Sequence, residues 1–403
     1  MTKNKPILSS FGALMPQEEM LEVKKNFKSL YIGIPKEISY QENRLSLSPD
    51  AVALLVSNGH KIIIEKGAGE NANFSDEDYA NAGATIGYSV EDVYKAHIIL
   101  KIEPPTNKEI KMMHKGQTLI SAIQLSTIDK EYINLLLKRE ITAIAFEFIK
   151  DENGILSLIR SISEIAGNTA ILIAAEYLSN VNSGKGLMLG GVSGISPTEV
   201  VVLGAGTVAE FSCRTALGLG ASVRVFDSSI TKLRRLQEIT SQRVSTSILQ
   251  PKALQKALMR ADVVIGALRA DQGRTPCVVS EEMVKKMKSG AVIVDVSIDQ
   301  GGCFESSSVT DHKNPTFRKF DVVHYCVPNI SSRVSRTATF AISNILAPSL
   351  LKMGIQGGIE EYMKQEDGFR TGIYLYRGML TNAVLGSMFD LPHKDLNLII
   401  LKD

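Results

Sequence analysis

The run Val200-Val201-Val202-Leu203-Gly204-Ala205-Gly206-Thr207-Val208-Ala209 carries the clearest chemistry in this sequence. Gly204 permits a tight turn, Gly206 lets the backbone approach a pyrophosphate, and Ala209 in the third position lets a helix pack closely on a strand. The phosphates would lie over the helix N-terminus, where unpaired N–H groups and the peptide dipoles favour negative charge. A second apolar run ends in Asp227, 23 residues beyond Gly204, where a carboxylate would hold the adenosine ribose hydroxyls. These residues together read as a dinucleotide loop. Asp227 favours NAD over NADP because it repels a 2′-phosphate. Lys232, Arg234 and Arg235 follow, either softening that preference or forming the solvated face of the next helix. The plain alternative is a glycine turn in an unliganded α/β domain.

The elements that must position this loop recur along the chain. Short β-branched runs at Tyr31–Ile34, Lys61–Glu65, Ala84–Tyr88, Ile98–Ile102, Thr118–Ile123 and Thr142–Phe146 alternate with helical segments. Such alternation predicts βαβ units and a parallel sheet. Ser48-Pro49 offers an N-cap followed by Pro at the first helical position, and Gly59 is placed to end that helix. Ser75 to Asp78 resembles a capping box with Asp in place of Glu. A helix over Ser161–Leu178 connects to a second series at Glu199–Leu203, Ser222–Phe226, Asp262–Ala267, Ala291–Val296 and Val322–Cys326. The pattern then turns helical from Arg336 to Met353 and ends in an apolar, strand-like run at Leu396–Leu401.

The fold class expected is α/β, with two doubly wound, Rossmann-like parallel sheets and the NAD domain inserted in a discontinuous substrate domain. Residues 1–30 form a polar arm, 31–160 and 336–403 the substrate domain, and 161–335 the NAD domain. With 45 basic and 43 acidic residues and a net charge of +2, the chain lacks the basic bias of a nucleic-acid binder. No stretch approaches the roughly 18 apolar residues of a membrane helix. The N-terminus has no cleavage-site pattern. The four cysteines, Cys213, Cys277, Cys303 and Cys326, lack C-x-x-C spacing and read as reduced, mostly buried thiols, fitting a cytoplasmic protein. The carboxylates and histidines lack metal-ligand spacing.

Several segments give the chain a resemblance to the alanine dehydrogenase family, which shares its fold with the nucleotide-binding subunit of proton-translocating transhydrogenase. They include Ile32-Gly33-Ile34-Pro35-Lys36-Glu37, Gly67-Ala68-Gly69-Glu70, Gly184–Gly191, Tyr325-Cys326-Val327-Pro328-Asn329 and, most specifically, Val294–Glu305. The resemblance runs from Tyr31 to about Pro392. It implies oxidation of an amino acid, L-alanine by default, to a 2-oxo acid and ammonia with NAD, in a homo-oligomer.

Site residues follow from the same resemblance. Arg44 matches the arginine that takes the substrate carboxylate in a bidentate contact. Asp299 matches the aspartate beside the nicotinamide that positions water or ammonia. Two positions depart from the family: Glu103 stands where it has a substrate lysine, and Gln124 where it has a catalytic histidine. An amide does not exchange protons near neutral pH. Lys101, two residues before Glu103 and so expected on the same strand face, is expected to pair with Glu103 or to replace the lost cation. Glu103 itself is a candidate proton carrier. The resemblance also places Ser163 and Asn329 near the nicotinamide, Asp227 and Lys232 at the adenosine ribose, and Ala267 and Leu268 at the adenosine strand end, beside the loop residues Gly204 to Ala209.

Two other readings stay open. One is a transhydrogenase-like NAD(H)-binding subunit with a membrane partner, where hydride passes between two nicotinamides and no acid/base histidine is needed. The stretch Asp151–Arg160 lacks that family's Arg-Gln-Asp set, and Ser163 in Ile162–Gly167 sides with the dehydrogenases. The other is a non-catalytic NAD(H)-binding protein.

Overall fold

A computed structural model describes residues 27–125, 127–240, 243–270 and 274–400. The polar arm expected before Tyr31 lies, up to residue 26, outside the described residues. Among the described residues there are fifteen strands: β1 (Tyr31–Ile34), β2 (Lys61–Glu65), β3 (Thr85–Gly87), β4 (Ile98–Leu100), β5 (Thr118–Ser121), β6 (Thr142–Ala145), β7 (Glu199–Leu203), β8 (Ser222–Asp227), β9 (Ser245–Ile248), β10 (Val263–Gly266), β11 (Val292–Asp295), β12 (Thr316–Lys319), β13 (Val322–Tyr325), β14 (Ile373–Tyr376) and β15 (Met379–Leu380). They form two sheets, ordered β15-β14-β6-β5-β4-β1-β2-β3 and β12-β13-β11-β10-β7-β8-β9. Pairing is parallel except at one edge of each sheet, where β14 runs against both β6 and β15, and β12 against β13. Both sheets are doubly wound, as the alternation of strands and helices predicts.

The chain divides into two units. The first holds the described residues up to Ser39, Arg44–Leu158 and those from Thr339 on; the second holds Tyr40–Asn43 and Ile159–Ala338. In the first, the buried faces of β4, β5 and β6 pack with Tyr132, Ile133 and Leu136 of the helix Lys130–Lys138. In the second, Val200, Val202, Ile265 and Val294 pack against Ala209, Cys213 and Ala216 of the helix Thr207–Gly218. These strands are buried on both faces, which is why they read as continuous apolar runs rather than alternating ones.

Local signals hold where they depend on near neighbours. Ser48 caps the helix Pro49–Ser57 and Gly59 follows it at φ +86°. Ser75 and Asp78 form a reciprocal capping box. The apolar run near the end does not: Leu396–Ile400 is a helix, with Asp395 accepting from the Asn397 N–H at 2.9 Å. That side-chain bond starts a helical turn, and only Leu396 of the run is buried. Leu401 lies outside the described residues. Four strands had no apolar signal or were unplaced: polar, half-exposed β9, the edge strand β12, and β14 with β15 beyond the long helix Ser335–Ile355.

Among the described residues, two helices run against the expectation that no stretch approaches the roughly 18 apolar residues of a membrane helix. Ser157–Leu178 and the stretch Ile330–Ile355 each reach a mean hydropathy of 1.3 over a window long enough to cross a bilayer. The sequence shows no unbroken apolar run there because Ser, Asn, Thr and Glu interrupt it. The inner face of the first helix, with Ala166, Ala170, Ile173 and Ala174, belongs to the core of the second unit. Cys213, Cys303 and Cys326 are buried thiols and Cys277 is exposed.

Candidate functional site

In the second unit, β7 is flanked by β10 on one side and β8 on the other, so the chain reverses its order across the sheet at the C-terminal ends of β7 and β10. That is where open α/β sheets form a crevice. Gly204 sits there at φ +112°, and a Cβ on it would lie 2.3 Å from the Ala267 carbonyl and 3.1 Å from the Leu268 N–H. Only glycine fits, which places Ala267 and Leu268 against the loop. A Cβ on Gly206 would meet nothing within 4 Å, so that backbone faces open space. Gly206 is also the N-cap of Thr207–Gly218 and provides no side-chain cap. Ala205 and Ala209 are fully buried, and Thr207 and Val208 open the helix. The residues present fit a bound pyrophosphate: an open glycine, first-turn N–H groups and a helix dipole.

Asp227 is buried at the end of β8. Its carboxylate accepts from the Ala205 N–H at 2.8 Å and the Ser229 N–H at 2.7 Å. It therefore braces the glycine turn and the start of the next helix, a role that spacing alone does not show. Lys232 lies on that helix with an exposed side chain. Ser163, half-buried, stands one turn before Gly167, whose Cα packs so closely on the Val208 carbonyl that a Cβ would be 2.4 Å away. Asp299 is exposed in the 3-10 turn Val296–Gln300, and its carboxylate accepts from the Asn329 N–H at 2.9 Å. Asn329 adopts φ +56°, and its amide donates to Glu42 at 2.7 Å. The structure thus joins Asp299 to Asn329, and brings Ala267 and Leu268 to Gly204.

In the first unit the corresponding reversal falls between β1 and β4. Arg44, Glu103 and Gln124 come together there. The Arg44 segment is held by the Leu45 N–H on Thr339 Oγ1 (3.0 Å) and the Ser48 N–H on Ser343 Oγ (2.7 Å). Arg44 Nη2 lies 3.9 Å from Glu103 Oε1, with side-chain exposures of 10% and 12%. The Gln124 amide donates to the other Glu103 oxygen at 2.5 Å. Gln124 is in the left-handed region at φ +45°. Glu103 and Gln124 form part of the wall of a cavity of about 330 Å³, together with Pro105, Asn107, Thr127 and Asp129.

Lys101 does not pair with Glu103. β4 ends at Leu100, so the two-residue strand period does not extend to 103. Lys101 is 1% exposed and its ammonium pairs with Glu109 at 2.9 Å and Glu37 at 3.2 Å. Burial pulls its pKa down, but the two carboxylates more than offset this and leave it above the ordinary lysine value. A cation so committed is a structural anchor, not a replacement for a substrate-binding charge.

Three positioning residues escaped the sequence reading. Glu37 accepts from the Ile102 N–H at 2.6 Å and the Glu103 N–H at 3.4 Å, fixing the segment that carries Glu103. Glu147 accepts from the Ile123 N–H at 2.7 Å and the Gln124 N–H at 3.4 Å. Burial pushes the Glu147 carboxyl upward, and those N–H bonds only partly counter it. Glu42 holds Asn329. Nothing in the spacing of these carboxylates marks them; a buried acid shows itself only through its partners. Among the described residues no group of three or more His, Cys, Asp or Glu side chains could hold a metal ion.

The chain is similar over most of its length to known proteins. Residues 33–166 match the alanine dehydrogenase/PNT N-terminal domain and residues 170–383 the alanine dehydrogenase/PNT C-terminal domain. An alanine dehydrogenase of Mycolicibacterium smegmatis is 38% identical over 91% of this chain and 98% of its own length. One of Methanococcus maripaludis is 37% identical over 90% and 98%. A solved L-alanine dehydrogenase superposes with a TM-score of 0.83 at 36% identity, covering 89% of this chain and 99% of that one. A transhydrogenase structure from Sinorhizobium meliloti, at 22% identity and a TM-score of 0.74 over 88% and 99%, shares the fold. With both domains matched and more than a third of residues identical over 91% of its length, the chain belongs to the alanine dehydrogenase/PNT family.

Proposed function

We propose that this protein is an NAD-dependent oxidoreductase acting on the CH–NH2 group of an amino acid, with L-alanine as the default substrate and an altered acid/base set. The observation that carries the reading is the Gly204–Ala209 loop, with Gly206 open and the helix Thr207–Gly218 starting beneath it, in a chain similar along its length to alanine dehydrogenases. The loop N–H groups hold the pyrophosphate. Asp227 and Lys232 serve the adenosine ribose, with Ala267 and Leu268 bordering the adenosine. Ser163 and Asn329 lie toward the nicotinamide. The bound nicotinamide supplies hydride transfer.

Arg44 takes the substrate carboxylate, and a guanidinium fork suits a carboxylate. Asp299, oriented by the Asn329 N–H, positions the water or ammonia that exchanges at the substrate carbon. Glu103, at the position of the family's substrate lysine, itself carries the proton, while Gln124, at the position of its catalytic histidine, orients Glu103 without exchanging a proton. Lys101, counted among the substrate-binding residues from sequence, is withdrawn from that role by Glu37 and Glu109.

The test is L-alanine-dependent reduction of NAD by the pure protein, with NADH binding as the internal control. Turnover supports the dehydrogenase. NADH binding without turnover on any amino acid overturns it in favour of a non-catalytic NAD(H)-binding protein, the reading that the closure of Glu103 on Arg44 favours next.

A further inference from the structure

Arg44 and Glu103 set opposite charges side by side at the reversal between β1 and β4. We propose, on the footing of the dehydrogenase reading above, that Glu103 is a specificity-determining residue that pairs with the α-ammonium of a zwitterionic amino acid. The site therefore binds the amino acid in preference to the 2-oxo acid.

The argument is one of charge matching. Arg44 Nη2 and Glu103 Oε1 set opposite charges 3.9 Å apart, both side chains largely removed from solvent. An α-amino acid carries an ammonium and a carboxylate on one carbon, at a comparable spacing. When it enters, the carboxylate meets Arg44 and the ammonium meets Glu103. One ion pair is exchanged for two. A 2-oxo acid carries only the carboxylate. To reach Arg44 it must draw the guanidinium from Glu103, and it leaves a second anion beside a desolvated carboxylate. Bringing a second anion against a desolvated carboxylate costs energy through like-charge repulsion.

Glu103 cannot easily escape that cost by moving. Its backbone N–H is held by Glu37 at 3.4 Å, the preceding Ile102 N–H by the same carboxylate at 2.6 Å, and its Oε2 by Gln124 at 2.5 Å. Lys101, the nearest other cation in sequence, is neutralised by Glu37 and Glu109. Asp129, on the same cavity wall, adds negative charge. The balance around Glu103 therefore favours an incoming ammonium over an incoming anion.

Because the overall equilibrium constant is set by the reactants, this bias cannot appear in the ratio of forward and reverse kcat/KM values. It appears in binding. The test is calorimetric titration of the NADH-loaded protein with L-alanine and, separately, with pyruvate in the absence of ammonium. Both ligands then form dead-end complexes and no turnover intervenes. The wild type is expected to bind L-alanine at least tenfold more tightly than pyruvate. Glu103→Gln, nearly isosteric, is expected to bring the ratio close to one, chiefly by weakening L-alanine. Glu103→Lys is expected to invert it. NADH fluorescence titration confirms that each variant is folded. Pyruvate bound as tightly as L-alanine by the wild type, or a ratio unmoved by Glu103→Gln, overturns the inference. If L-alanine still reduces NAD in that case, the dehydrogenase reading stands alone. If neither ligand binds the NADH-loaded wild type, both fall.

Discussion

The two sheet reversals of this molecule solve the same problem in opposite ways. At the C-terminal ends of β7 and β10 the loop is contiguous: Gly204 to Ala209 turn, open and start a helix within six residues. At β1 and β4 the cluster is gathered from Arg44, Glu103 and Gln124, and each is held by a residue from elsewhere: Thr339 for the Arg44 segment, Glu37 for Glu103, and Glu147 for Gln124. The first site depends on backbone shape and the second on charge placement. A site made of backbone conformation tolerates change around it but not in it. A site made of paired side chains is retuned by single substitutions, and the cluster of Arg44, Glu103 and Gln124 is of that kind.

The largest effect expected is at the contiguous site. Gly204→Val puts a side chain where a Cβ already falls 2.3 Å from the Ala267 carbonyl, at a φ of +112° that β-branched residues do not adopt. Loss of roughly 3 kcal/mol or more, with NADH affinity falling more than a hundredfold, is expected in fluorescence titration. Unchanged NADH binding would break the contrast drawn between the two sites.

Asp295, at the end of β11 in the same unit, shows that this unit also contains a charge device. Burial pushes its carboxyl up to about 6, only partly offset by bonds from Ser307 Oγ (2.7 Å) and the Cys303 N–H (3.1 Å). The folded chain thus keeps a proton that the unfolded chain releases from pH 3.8 upward. Stability from this group is fully present below that pH, falls as pH rises toward 6, and is flat above, a span of about 3 kcal/mol. Thermal unfolding from pH 4 to 6 should show that slope, and Asp295→Asn should flatten it; an unaltered slope would locate the titration elsewhere.

A smaller loss is expected from Glu37→Gln, which leaves Lys101 with one carboxylate and loosens the segment before Glu103. About 2 kcal/mol of stability and a tenfold or greater rise in the KM for L-alanine are expected, with NADH binding unchanged. Equal damage to NADH binding would show that the two sites are not separable. The smallest effect belongs to Gln124→Gly. Relief of the left-handed backbone at φ +45° offsets about 1 kcal/mol lost with the bond to Glu103, so stability should barely move. The KM for L-alanine should still rise severalfold, and no rise would remove Gln124 from the site.

The sequence by itself determined the features that depend on near neighbours. The glycine turn, the Ser48 and Ser75 caps, and the buried strands β1, β2 and β7 were legible because a missing Cβ, a short hydroxyl or a β-branched run acts within a few residues. The resemblance added Arg44 and Asp299 by position, and marked Glu103 and Gln124 as departures. Only the tertiary structure decided what those charges meet. Lys101 was expected beside Glu103 and lies between Glu37 and Glu109, because β4 stops at Leu100. Asp227 braces Ala205, β14 joins β6 across more than two hundred residues, and Leu396–Ile400 coils into a helix on the Asp395 side chain. A charge acts through distance in space, and distance in space is set by which strands become neighbours. That pairing is long-range, and no window of sequence contains it.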